Sequence, residues 1–70
     1  MKELSARNQL KGTVKKVKKG PVNAEITIEL PGGTEITSII TISSAERLGL
    51  EEGVKAYAVI KATSVMIGKD

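Results

Sequence analysis

The stretch from Val22 to Leu30 constrains this chain more than any other, because its apolar and polar side chains alternate without a break. Val22, Ala24, Ile26, Ile28 and Leu30 fall on one side and Asn23, Glu25, Thr27 and Glu29 on the other. A period of two builds a strand with one buried face, since helical turns would scatter the same residues around a cylinder. Pro31-Gly32-Gly33 follows, a preset φ and then two residues free to take positive φ, as a tight reversal requires. Thr34 to Ile42 returns as the next strand, with Ile36, Ser38, Ile40 and Ile42 on one face and Thr37, Ile39, Thr41 and Ser43 on the other. A half-buried antiparallel hairpin is therefore the expected centre of the fold.

The flanking segments extend it. Leu10 to Val17 reads as a first strand in which Val14 and Val17 break the strict period, and Gly12 allows a bulge or a close backbone approach. Lys15, Lys16, Lys18 and Lys19 lead into a Gly20-Pro21 turn. After the hairpin, Ser43-Ser44-Ala45-Glu46 matches a capping box with Ser43 as helix cap, and Gly49 after Leu48 is a stop signal. Glu51-Glu52-Gly53 turns the chain into a fourth strand, Val54 to Lys61, with Val54, Ala56, Ala58 and Ile60 inward and Tyr57 and Val59 outward. Ser64 to Ile67 is expected as a short fifth strand. This order predicts an all-β fold, a five-stranded OB-like Greek-key barrel with one short helix before the fourth strand, in a single domain over residues 1–70.

Composition says how such a fold is held. A 70-residue chain buries little core, and without cysteine or histidine it has neither disulfides nor thiolate or imidazole metal sites to staple it. Oligomerisation is the remaining means, and Ile39, Tyr57 and Val59 on otherwise polar faces suit a subunit interface. The absence of histidine and cysteine, of a nucleophile elbow and of a P-loop argues against an enzyme. The N-terminus lacks an apolar run of signal-peptide length and no stretch approaches a membrane span, so a cytoplasmic protein without membrane partners is expected.

The formal charge of +3 suits a small anion as well as a nucleic acid. Ser5-Ala6-Arg7-Asn8-Gln9 gathers a guanidinium, a hydroxyl and two amides, and no carboxylate lies between Glu3 and Glu25. Lys61, with Thr63 and Ser64 and nearby backbone amides, closes the fourth strand in the same vocabulary, and Thr41, Ser43 and Ser44 form a third donor cluster. Each has an ordinary structural role as well: lead-in strand, surface lysine, strand threonine, helix cap. Together they form a set of donors, which satisfies a fully deprotonated tetrahedral dianion, whereas hydrogen phosphate brings an O–H that needs an acceptor. Sulfate, molybdate or tungstate fits such a set. The alternative is an OB-type single-stranded nucleic-acid binder using the lysine run, against which stands the single aromatic residue, Tyr57, available for base stacking.

Four stretches carry a resemblance: Ser5 to Gly12, Ile36-Thr37-Ser38-Ile39-Ile40, Ala45 to Gly53, and Val59 to Ile67. In this order they are similar to the molbindins, single-domain molybdate-binding proteins of the Mop/TOBE type. The resemblance implies a hexamer, a trimer of dimers, that stores or buffers molybdate or tungstate at subunit interfaces. It implies oxyanion ligands at Ser5, Arg7, Lys61 and the amide of Ala62, with Thr41 contributed by the neighbouring subunit; Ser43 joins them as a candidate from the third donor cluster.

Overall fold

The computed structural model describes residues 3–70. Four strands, β1 (Asn8–Lys19), β2 (Asn23–Glu29), β3 (Glu35–Thr41) and β4 (Lys55–Ile60), form one antiparallel sheet in the order β3-β2-β1-β4. A six-residue helix, α1 (Ile42–Arg47), lies between β3 and β4, and a 3-10 turn, Ala62–Ser64, follows β4.

β1 organises the sheet because it has two partners in succession. Its first half pairs with β4, from Asn8↔Ile60 to Thr13↔Lys55, and its second half with β2, from Thr13↔Glu29 to Lys19↔Ala24. The β2 register slips between Val14 and Lys16, so Lys15 is an extra residue, a β-bulge that bends the strand from one partner toward the other. The bulge also explains the broken period. Val14, opposite Ile28, and Val17, opposite Ile26, stand three residues apart yet both pack inward. The bulge is not at Gly12, which is instead the close approach: a Cβ there would stand 2.5 Å from Ile28 Cγ2 and 2.6 Å from the Glu29 carbonyl oxygen.

The core is Val14, Ala24, Ile26, Ile28, Ala45 and Ala58, with Val17, Leu30, Ile36, Ile40, Ile42, Leu50 and Ala56 packed around it. Half of the fully buried set is alanine, so few of its side chains contribute the roughly 1.5–3 kcal/mol of a fully buried large aliphatic. Val22, expected inward, is 68% exposed, because the strand starts one residue later and Val22 belongs to the preceding turn, its carbonyl accepting from the Ile42 amide. The expected outward residues Ile39, Tyr57 and Val59 are indeed exposed.

The helix begins earlier than the capping box suggests. Thr41, not Ser43, is the N-cap: its Oγ1 accepts from the Ser44 amide at 3.1 Å, and Ile42 is already helical rather than in β3. The far end closes as expected. Gly49 takes φ +63, its amide donates to Glu46 O, and the Leu50 amide donates to Ala45 O, the paired bonds of a Schellman motif.

The expected fifth strand does not form within the chain. The turn at Ala62–Ser64 carries the backbone off the end of β4, and the following residues join no ladder. Val65 is extended, at φ −88 and ψ 124, while Met66 and Ile67 are 93% and 90% exposed. Among the described residues the sheet therefore keeps two free edges, along β3 and along β4.

Candidate functional site

The β1–β4 register decides which donors meet. Its first pair is Asn8↔Ile60, so the residues just outside the ladder are Ser5, Ala6 and Arg7 on one side and Lys61 and Ala62 on the other. Two side-chain bonds tie this junction: Asn8 Nδ2 donates to the Ile60 carbonyl at 3.2 Å and Gln9 Nε2 donates to the Ala6 carbonyl at 2.7 Å. The 3-10 turn uses the amides of Ser64 and Val65, which donate to Lys61 O and Ala62 O, and the Ala62 amide lies ahead of these bonds. Ser5, Arg7, Lys61 and Ala62 thus share one end of the sheet, and all four are exposed.

Thr41 and Ser43 lie elsewhere. Thr41 pairs with Asn23, beside the turn that follows the last residue of β1, whereas Arg7 precedes its first. The twelve-residue, bulged β1 separates the two ends. Within one chain the donors form two half-sets. The second half-set is a cluster of hydroxyls: Thr41 Oγ1 donates to Ser44 Oγ at 2.8 Å and stands 3.2 Å from Ser43 Oγ. The backbone makes Ser44 its inner member, half-buried and bonded twice to Thr41. Ser44 was legible in the sequence as part of the donor cluster but could not be ranked above Ser43, because that choice depends on where the helix starts.

The lysine run does not make a strip. Lys16 and Lys18 stand opposite Thr27 and Glu25 on the outer face, and Lys19 stands opposite Ala24 on the inner one. Lys15 bridges two carboxylates, 2.6 Å from Glu35 and 3.5 Å from Glu29, and the Glu35 carboxylate, with help from Glu29, raises its pKa above the ordinary 10.5. A cavity of roughly 500 Å³ beside the Pro31-Gly32-Gly33 reversal, lined by Lys11, Thr13, Glu29 and Lys55, contains none of the site candidates. Its wall mixes the Glu29 carboxylate, paired with Lys15, and the Lys11 and Lys55 ammoniums, Lys55 Nζ donating to Thr13 Oγ1 at 2.8 Å. Among the described residues, no three of Asp, Glu, His and Cys cluster to hold a metal ion, and no helix is long and apolar enough to cross a membrane.

Comparison with known proteins identifies the family and the fold. Residues 4–67 match the family model of the TOBE domain. Molybdenum-pterin-binding protein 1 of Clostridium pasteurianum is 56% identical over 64 residues, which is 91% of this chain and 94% of the relative. The structure of MopII from Clostridium pasteurianum has a TM-score of 0.91 at 54% identity, covering 96% of this chain and all of that one. The molybdate-bound form of ModG, described as a cytoplasmic molybdate-binding protein, has a TM-score of 0.85 at 57% identity, covering 87% of this chain and 43% of its own. The four-stranded curled sheet with one short helix is thus an all-β, OB-like fold.

Proposed function

The chain belongs to the TOBE-domain family, and from that premise we propose that it binds molybdate or tungstate without catalysing a reaction, and stores or buffers the oxyanion in the cytoplasm. The observation that carries this reading is the division of the donors. Ser5, Arg7, Lys61 and the Ala62 amide stand at one end of β1, and the hydroxyls of Thr41, Ser43 and Ser44 beside the other. A tetrahedral dianion accepts from all sides, so one copy's cationic half-set and a second copy's hydroxyl half-set complete each other across an interface. Burial between subunits also lowers the dielectric around Arg7 and Lys61, which in a lone chain are exposed to water.

The rest of the single domain, residues 1–70, fits such an assembly. Val65–Ile67, exposed and entered through an extended Val65, is a fifth strand waiting for a partner, and the open edges of β3 and β4 are where a strand from another copy closes the barrel. Ile39 lies on one edge strand and Tyr57 and Val59 on the other, so the exposed apolar residues face two directions, in keeping with a hexamer built as a trimer of dimers. The splitting of the lysine run over two faces removes support from a nucleic-acid role.

Isothermal titration with sodium molybdate tests the reading. The native protein is expected to take up molybdate stoichiometrically, and Arg7→Ala and Lys61→Ala are each expected to lose about 2–5 kcal/mol of affinity. Unaltered binding in both variants would remove this site.

A further inference from the structure

This inference deepens the oxyanion reading and rests on it. A site that selects a proton-free dianion has to present donors and keep acceptors away, yet backbone supplies a carbonyl with every amide. Among the carbonyls next to the cationic half-set in the chain are those of Ala6, between Ser5 and Arg7, and Ile60, immediately before Lys61. Each is taken by a side-chain amide from the two residues that follow Arg7. Asn8 Nδ2 holds Ile60 O at 3.2 Å and Gln9 Nε2 holds Ala6 O at 2.7 Å.

We propose that Asn8 and Gln9 bias which anions the site accepts, by occupying the Ala6 and Ile60 carbonyls that would otherwise stand as acceptors beside its donors. An unmasked carbonyl repels a bare dianion but accepts from the O–H of hydrogen phosphate. Loss of the mask therefore acts in opposite directions on the two ligand types, whereas a simple loosening of the junction weakens both together. Sulfate carries no proton in neutral solution and serves as the control that should follow molybdate.

The test uses the full-length assembly with Asn8→Leu and Gln9→Met, which keep side-chain bulk and delete the donor. Affinities for sodium molybdate, sulfate and inorganic phosphate are measured by competition in slightly alkaline solution, where phosphate is present as hydrogen phosphate. The molybdate-to-phosphate ratio is expected to fall about tenfold in each variant while the molybdate-to-sulfate ratio holds. A molybdate-to-phosphate ratio equal to that of the native protein, with or without a general loss of affinity, overturns the masking role. If Asn8→Leu does not assemble, the exposed Gln9→Met decides. Native protein that binds no molybdate defeats the oxyanion reading itself, a result distinct from native selectivity that the variants leave intact.

Discussion

Gly12 is held by the close approach of β2. With Ile28 Cγ2 and Glu29 O at 2.5 and 2.6 Å from where a Cβ would stand, Gly12→Ala must push β1 away from β2. Urea denaturation is expected to show a loss of about 1–3 kcal/mol. The sequence indicated a close approach or a bulge at this glycine, and separately a lost period between Val14 and Val17. Only the paired register shows these to be different events, because a bulge at Lys15 depends on where β2 sits, which lies outside local pattern. Lys15 carries its own consequence. Its pKa is raised by Glu35 and Glu29, so its contribution to stability is complete below 10.5 and disappears as the pH rises through the higher folded value. The melting-temperature gap between native protein and Lys15→Met should be constant around neutrality and close in strongly alkaline solution. A gap that persists there would mean that Lys15 acts through its aliphatic stem.

Among the elements, α1 depends on its two ends, since six residues cannot sustain a helix on propensity alone. Gly49, at φ +63, completes the Schellman motif, and its Cβ would meet no neighbouring atom. Gly49→Ala is therefore expected to cost about 1–2 kcal/mol from backbone strain alone, read as a lower denaturation midpoint with the fold unchanged. The stop was legible because only glycine takes that conformation cheaply, whereas the start was misplaced by two residues. Thr41, Ser43 and Ser44 are all competent caps, and the choice falls to Thr41 because β3 ends there, paired with Asn23. β2 and β4 were legible almost in full, Ala24, Ile26, Ile28 and Ala58 being buried as alternation requires. The donor types could be read from the sequence, and the resemblance already assigned Thr41 to a neighbouring subunit. Where each group of donors lies in the sheet could not be read, because that follows from the antiparallel path of β1.

At the scale of the whole molecule, the chain leaves more apolar surface uncovered than its small core makes comfortable: Ile39, Val59, Val65, Met66 and Ile67 are all exposed. The sequence could mark Ser64–Ile67 as a short strand but could not say in which copy its partner lies. Ile67→Asp places a charge in that proposed junction and is expected to reduce the assembly to smaller species in native mass spectra, with the β-sheet signal retained. The central claim is that two copies complete one oxyanion site. Native mass spectrometry with molybdate, at fixed ionic strength and with sulfate in competition, tests it most directly. The account predicts a hexamer that gains molybdate in preference to sulfate, with uptake lost when Thr41→Ala and Arg7→Ala are combined in one chain. It also predicts partial recovery when the two single variants are mixed and reassembled, because native half-sets then meet at some interfaces. A monomer that binds molybdate, or a mixture of single variants that binds no better than the double variant, would contradict it.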